Sequence, residues 1–324
     1  MDIRITVPQP GDATALQAVP HVPESPGPDA VRIRHLAIDV NFIDIYQRSG
    51  LYPLSAPHVP GVAAAGVIEA VGSGVDGLRV GEYVVYGGPP VGAYASTRLL
   101  PAHMAIPVPE GMPMTTAATS FFKALTAHML LTRVFPVGPG RVLLVHAAAG
   151  GLGQVLVRWA KHLGAQVIGT TGSDAKAEIA RSAGADHVIV GRDADVASAV
   201  ATITAGRGVD YAIDGIGGQT LVRTLACVRK FGVVASIGQA GGAIPALPVE
   251  ALGPTRSLSL ARPSVMAYAS DKTSYRVGAE AALHMIASGV ATAHAERSFA
   301  LADAASAHVL LESGQSAGGL LLIP

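Results

Sequence analysis

The sequence contains a single cysteine, Cys227, among 324 residues, so neither an internal disulfide nor a thiolate zinc cage is open to it. It also lacks net charge. Its 23 basic and 23 acidic residues cancel and no block of one sign occurs, which removes the electrostatic basis for binding nucleic acid or an anionic membrane surface. No uninterrupted apolar run approaches the roughly 20 residues of a membrane span. The opening MDIRITVPQPGD has neither a cationic region with a long apolar stretch nor an Arg/Ser-rich transit bias. A cytoplasmic protein is the expectation. No phosphate-binding GK[ST] string occurs and no nucleophile elbow of the G-x-S-x-G kind is read, which argues against a kinase or a hydrolase. What is present is apolar: half of the residues are hydrophobic and 14% are charged, the balance of a globular chain long enough for two domains.

The first third is rich in Pro and Gly, with short alternating runs such as VRIRHLAIDV (31–40) and GVAAAGVIEAVG (61–72). This predicts an irregular, mostly β domain with a barrel-like core. From about Thr115 the pattern changes. TTAATSFFKALTAHMLLTRV has a helical period, and strand-like and helix-like segments then alternate: VLLVHAA, QVLVRWAKHLG, AQVIGTT, DAKAEIARSAG, DHVIV, VASAVATITAG, VDYAIDGIG, LVRTLACVRKFG and VVASIGQ. Such alternation implies a parallel sheet with helices on both faces. After Arg262 the text reverts to a helix, EAALHMIASG, a short strand around Ser298 to Leu301, and a final LLLIP. The expected fold is α/β, a doubly wound parallel Rossmann sheet (123–262) inserted into a mostly β catalytic domain made of 1–122 and 263–324.

Within that alternation, RVLLVHAAAGGLGQVLVRWAKHLGAQVIGT (141–170) spells strand, glycine turn, helix, strand. A glycine turn lets backbone N–H groups approach a phosphate at a helix N-terminus. Gly150, Gly151 and Gly153 fit this role, Leu152 lies between them, and Ala148 stands where the dinucleotide fingerprint has its first glycine; there only a tight turn without positive φ is needed. The second strand would end in a carboxylate for NAD, but it ends in Thr170 and Thr171, followed by Gly172, Ser173 and Lys176. A hydroxyl and an ammonium beside the ribose favour the 2′-phosphate of NADPH. Asp174 is either the N-cap of the next helix, the preferred reading, or a ribose acceptor. Lys176 also reads as a solvated lysine of the first helical turn. Arg192, after the third strand, and Gly238 and Gln239, after VVASI, complete the expected cofactor-binding set.

VNFIDIYQRSGLYP (40–53), VHAAAGGLGQ (145–154), SFFKALTA (120–127), LARPS (260–264) and the ending LLLIP resemble the quinone oxidoreductases, zinc-independent members of the medium-chain dehydrogenase/reductase superfamily. The resemblance runs through nearly the whole chain in order and spacing. It implies a GroES-like catalytic domain, an inserted Rossmann domain, a cleft between them, NADPH, and a homodimer. It also implies catalysis without metal: where zinc relatives place a Cys ligand this chain has Asn41, where they place a His–Glu pair it has Val62 and Ala63, and its eleven histidines show no His-x-x-x-His spacing. Asn41, Tyr46 and Tyr52 are the expected catalytic residues, since an amide and two phenols can bond a carbonyl oxygen or pass a proton. Asn41 is the only asparagine in the chain.

The chain departs from its relatives in three places. Where they carry a tyrosine after the SFFKALTA motif, a tyrosine after the third strand and an arginine near the C-terminus, it has His128 and Met129, Gly191 before Arg192, and Gly314. Lys123 matches the lysine of the family motif, with a helix-surface lysine as the other reading, and Cys227 reads as a small core residue in a helical pattern. The expected activity is NADPH-dependent reduction of a quinone. Reduction of an enone, enal or other activated alkene is the alternative, and an NADPH-binding structural or regulatory protein is the alternative of another class. The apolar strand SLSLAR (257–262) is expected at a sheet edge, where a second copy would pair with it.

Overall fold

The computed structural model describes residues 1–324. The chain begins with strands β1 (Ile3–Thr6), β2 (Gln17–Pro20) and β3 (Ala30–Val40), helix α1 (Phe42–Arg48), strands β4 (Ala63–Val71), β5 (Tyr83–Gly87), β6 (Thr97–Pro101) and β7 (Ile106–Pro107), and helix α2 (Met114–His128). Then follow β8 (Val142–Val145), α3 (Gly151–His162), β9 (Gln166–Thr171), α4 (Asp174–Ser182), β10 (His187–Val190), α5 (Val196–Ile203), β11 (Val209–Asp214), α6 (Gly218–Leu225), β12 (Val228–Ser236) and β13 (Ser259–Ala261). It ends with α7 (Val265–Ser270), α8 (Lys272–Ala287), β14 (Ala295–Ala300), α9 (Ala304–Glu312) and β15 (Gly319–Ile323). Two compact units result, Met1–Leu125 with Met266–Pro324, and Thr126–Val265. The joints fall inside α2 and α7, a place that periodicity alone does not mark. No helix is long and apolar enough to cross a membrane.

The first unit is built on a seven-stranded sheet ordered β14-β15-β3-β4-β5-β7, with β6 also on β3. Strand β3 is its centre. Val31 and Ile33 alternate inward, and from Ala37 every residue to Val40 is buried, because β3 pairs antiparallel with β4, β6 and β15 and is covered along its length. The last residues of β3 therefore deliver Asp39 into the interior and set Asn41 at the start of α1.

The second unit is a six-stranded sheet ordered β10-β9-β8-β11-β12-β13, every pair parallel. The order reverses at β8, between β9 and β11, and the carboxyl ends of the strands beside such a reversal form a ligand site. Strands β8 (VLLV) and β11 (VDYAID) are buried along their length, as two-faced parallel strands must be. Leu144, Ile168, Val200, Val209, Ala212, Leu221 and Val234 make the core that fixes helices to sheet. The helical pattern read over LVRTLACVRKFG (221–232) does not form as a single helix: α6 stops at Leu225 and β12 begins at Val228, because Val228 pairs with Val209 and the strand is enclosed by β11 and β13. Cys227 lies between the two elements, 1% exposed, its thiol pushed up to about 12 by burial. A thiol so protonated is a core group, not a nucleophile.

Candidate functional site

In the second unit the turn between β8 and α3 is held from below. The Ala148 N–H donates to Thr170 O at 3.0 Å and the Gly150 N–H to Ala147 O at 2.9 Å. Ala148 is fully buried, and its methyl fills the space over Gly169, where a Cβ would meet it at 2.7 Å. The alanine is thus accommodated by a glycine on the neighbouring strand. Positive φ falls one residue earlier, on Ala147 at 51°, an uncommon conformation for a residue with a Cβ. Gly153 is required by close approach: a Cβ there would lie 2.2 Å from Ala147 O. At Gly150 the nearest atom to such a Cβ is Ala147 O at 3.3 Å. Gly151 and Leu152 open α3, Leu152 half-buried, and a backbone cradle of this kind at a helix N-terminus fits a pyrophosphate.

At the end of β9, Thr171 is buried while Thr170 is half-buried, and the Thr170 hydroxyl lies 3.0 Å from His146 Nδ1. His146 Nε2 lies 2.8 Å from Thr224 Oγ1, which donates to Asp214 Oδ2 at 3.0 Å. Because the Thr224 hydroxyl spends its proton on other acceptors, the imidazole carries its own on Nε2 and accepts at Nδ1 from Thr170. Burial lowers the His146 pKa against the opposing pull of Asp214, and the neutral ring holds that tautomer. Asp214 Oδ1 accepts from the Ile216 and Gly217 N–H groups at 2.8 and 2.9 Å, fixing the loop after β11 against Gln239, whose Cα lies 2.6 Å from where a Gly217 Cβ would be. Gly238 is buried, and Arg262 donates to its carbonyl at 3.3 Å.

The cap of α4 is Ser173, whose Oγ accepts from the Lys176 N–H at 3.4 Å, so the preferred reading of Asp174 as N-cap is corrected. Ser173 has the extended backbone of a cap, and Asp174 takes the first helical position, where its charge favours the helix end. Capping uses an oxygen lone pair of Ser173 and leaves its hydroxyl proton to give. Gly172 and Ser173 are exposed, Lys176 is half-buried, and exposed Arg192 packs its Cγ and Nε 3.6 Å from where a Gly172 Cβ would sit. Thus the structure brings Gly172, Ser173, Lys176 and Arg192 to one corner. Gly191 has φ 116°, a conformation that a tyrosine in its place would not take up without strain.

In the first unit, Asn41 caps α1, Tyr46 lies in its last turn, and Tyr52 follows in the loop. Tyr52 donates its N–H to Tyr46 O at 2.9 Å, and the two rings pack edge-on with centroids 5.2 Å apart. Tyr46 is buried and Tyr52 half-buried. Asn41 Nδ2 donates to Asp39 Oδ2 at 3.1 Å and to Asp39 O at 3.4 Å, so the end of the amide not committed to Asp39 is its oxygen, an acceptor. Asp39 is itself paired with Lys123, whose Nζ lies 2.7 and 2.6 Å from the two carboxylate oxygens and donates to Thr119 O at 2.9 Å. Lys123 is therefore a buried counter-ion. Burial pushes Asp39 up to about 6 although Lys123 pulls the other way.

Beneath α1 runs a chain of buried polar groups that nothing in the sequence announced. The Asn41 N–H donates to Asp44 Oδ2 at 2.8 Å, and Tyr94 donates to the same oxygen at 3.1 Å. Tyr94 Oη is 2.9 Å from His308 Nε2, and His308 Nδ1 is 3.2 Å from Arg48 Nη1. Arg48 also forms a bidentate pair with Glu312 at 2.7 and 3.0 Å and donates to Gly11 O at 3.1 Å. Gly61 makes the room for Tyr94, since a Cβ there would sit 2.3 Å from the ring. No spacing rule links residues 44, 48, 94, 308 and 312, and only the fold brings them together.

No group of three or more His, Cys, Asp or Glu side chains is placed to hold a metal ion, and Val62 and Ala63 are buried apolar residues at the start of β4. The string GQSAG (314–318) does match G-x-S-x-G, contrary to the sequence reading, but it leads from helix α9 to strand β15. A nucleophile elbow leads from strand to helix.

Residues 151–276 match the family model described as zinc-binding dehydrogenase, and residues 27–110 match the alcohol dehydrogenase GroES-like domain. The chain is similar to quinone oxidoreductase 1 of Escherichia coli (strain K12), 38% identical with all of both chains covered. It is 42% identical to the 2-haloacrylate reductase of a Burkholderia species, over 93% of this chain and 92% of that one. The crystal structure of Escherichia coli quinone oxidoreductase complexed with NADPH superposes with a TM-score of 0.96 at 37% identity, covering 99% of this chain and all of that one. Full-length similarity at this level, together with a parallel sheet that reverses at a glycine turn, makes the chain a member of the quinone oxidoreductase family of the medium-chain dehydrogenase/reductase superfamily.

Proposed function

We propose that the protein is a metal-free oxidoreductase that takes NADPH as hydride donor and a quinone as acceptor. The observation that carries this reading is the corner after β9: the strand ends in Thr170 and Thr171, and a hydroxyl (Ser173) and two cations (Lys176, Arg192) stand where NAD enzymes place a carboxylate. The turn of Ala148, Gly150, Gly151, Leu152 and Gly153 would take the pyrophosphate, and Gly238 and Gln239 would line the cofactor beyond the reversal point. When bound, NADPH supplies a hydride from C4 of its nicotinamide ring. The residues of the chain then have modest tasks. Tyr46 and Tyr52 can donate to an acceptor oxygen on which negative charge develops, and Asn41, with its amide nitrogen turned to Asp39, offers an oxygen that accepts a hydrogen bond. A second reading, hydride delivery to an activated alkene, is favoured by the identity with a relative named for 2-haloacrylate. Consumption of NADPH in the presence of a chelator, measured with quinones, enones and 2-haloacrylates, decides between them, and the activity belongs in the cytoplasmic fraction. If none of these acceptors is turned over, the reductase reading falls and an NADPH-binding structural protein takes its place.

Cofactor choice should follow Lys176. Lys176→Ala is expected to weaken NADPH by about 1–3 kcal/mol, roughly 5- to 150-fold, the worth of one charge-assisted contact, while NADH titrates as before. The gap should narrow with added salt, because the corner is partly exposed. Because Gly191 and Gly314 lack the side chains of relatives, a preference at the modest end of that range is expected. Unchanged NADPH affinity in this variant would return Asp174 as the group that reads the ribose.

A homodimer is part of the same proposal. Strand β13 pairs only with β12, so one of its edges has no partner within the chain, and two such edges side by side would complete a continuous sheet. Sizing at micromolar concentration should return about twice the 32.8 kDa of the chain; a species of single mass would rule the dimer out.

A further inference from the structure

Asp44 is fully buried, and its two carboxyl oxygens are treated differently. Oδ2 accepts from the Asn41 N–H and from Tyr94, whereas Oδ1 is buried with no hydrogen-bond partner. The direction of the polar chain can be fixed from its far end. Arg48 can only donate, so His308 accepts at Nδ1 and carries its proton on Nε2, where it donates to Tyr94 Oη; the Tyr94 proton then goes to Asp44. Burial and the nearby Arg48 depress His308 to about 3, so the ring stays neutral and the direction holds. The groups facing Asp44 are Asp39 from β3, Lys123 from α2, Tyr86 from β5, Tyr94 from the segment before β6, and, behind Tyr94, His308 from α9 and Arg48 from α1. The one cation that reaches Asp44, Lys123, is already bound to both oxygens of Asp39. An ionised Asp44 would leave a bare anionic oxygen in the interior, which costs far more than an unpaired neutral hydroxyl.

We propose that Asp44 is a positioning residue that serves the reductase as a neutral carboxyl group, its proton on Oδ1, holding the Asn41 end of α1 to Tyr94 and, through His308 and Arg48, to α9, and that its ionisation slows reduction at alkaline pH. Burial places the ionisation at about 8, within reach of ordinary buffers. The rate consequence rests on the proposed function, because reduction places negative charge on the acceptor oxygen. A buried carboxylate at the Asn41 end of α1 opposes that charge.

The test uses the intact enzyme with Asp44→Asn and Tyr94→Phe. Wild-type kcat for NADPH-dependent quinone reduction is expected to fall about tenfold between about pH 7 and pH 10 along a single ionisation, with KM for NADPH unchanged. Asp44→Asn, uncharged at every pH, should lose this alkaline limb. Tyr94→Phe, which removes a donor that favours the carboxylate, should move it to higher pH. Carbon-13 NMR of wild-type protein labelled at aspartate carboxyls gives a readout independent of turnover and of how well the variants fold: one buried resonance should titrate near pH 8. A resonance that titrates with the ordinary aspartates, or an alkaline limb identical in wild type and Asp44→Asn, overturns the proposal. If no quinone or alkene is reduced at any pH, the reductase reading fails while the titration still decides the state of Asp44.

Discussion

Lys123→Met is expected to cost about 3–5 kcal/mol of folding stability, the range for removing one partner of a buried ion pair. The pair is enclosed: Lys123 is 7% exposed and Asp39 is not exposed at all. Deleting the ammonium leaves the carboxylate with the Asn41 Nδ2 donor at 3.1 Å in place of its counter-ion. The loss should grow as pH rises. Asp39 already has a folded pKa raised by burial from 3.8 to about 6, so its contribution is fully present below the unfolded value and is lost as pH rises through the folded one. Without Lys123 the folded value rises further, and the variant continues to lose ground over a pH range in which wild type has stopped. Urea denaturation should therefore show a deficit that is small at pH 4 and large at pH 8. The double variant Asp39→Asn/Lys123→Met, which buries no charge, should recover most of the stability, because replacing both members of a buried pair is often neutral. A single variant as stable as wild type at pH 8, or a double variant no better than the single, would show that the pair is not what holds β3 to α2.

The same pair shows where sequence reading stops. The strand–turn–helix of 141–170 is legible because each step leaves a local mark: VLLV is continuously apolar, the glycines follow at once, and the helix has its own period. Cap assignment is less secure, since Ser173 and Asp174 are both competent caps and the choice between neighbours depends on a backbone angle rather than on residue type. LVRTLACVRKFG reads as a helix by period, yet Val228 is drawn into β12 by pairing with Val209, and Val233 to Ala235 farther along the same strand pair on both sides; tertiary context overrides local preference there. The left-handed turn residue is Ala147 rather than a glycine, so the usual mark of positive φ is missing. The site in the first unit was half legible. Asn41, Tyr46 and Tyr52 lie within twelve residues of one another and belong to a family motif, whereas their support comes from Asp39, Asp44, Tyr94, Lys123, His308 and Glu312. Buried polar groups leave no periodic signature, and a lone histidine near the C-terminus says nothing about a tyrosine two hundred residues earlier.

Gly153→Ala is expected to lose both stability and cofactor binding, which separates it from its neighbour Gly150→Ala. An added Cβ at Gly153 meets Ala147 O at 2.2 Å, Ala148 Cα at 2.8 Å and Ala148 C at 2.9 Å, all of them backbone atoms. None can swing aside as the end of a side chain would. The turn is also poorly placed to yield, because Ala147 is already at positive φ and the Ala148 N–H is bonded to Thr170 O. Helix α3 must therefore move off the sheet, at about 1–3 kcal/mol for overpacking, even though alanine in a helix interior is intrinsically better than glycine by about 1 kcal/mol. The N–H groups at the start of α3 move with it, and NADPH affinity should fall at least tenfold. At Gly150 the added methyl finds only Ala147 O at 3.3 Å, and φ is −70°, so stability should change by no more than about 1 kcal/mol, the scale of a cap substitution. Binding should still weaken, because the methyl would stand where a pyrophosphate approaches the backbone. Thermal denaturation with NADPH titration on both variants checks the pair of outcomes. If Gly150→Ala binds NADPH as tightly as wild type, the cradle lies elsewhere on the turn; if Gly153→Ala keeps both properties, the contact between α3 and the Ala147 carbonyl is not a constraint on the fold.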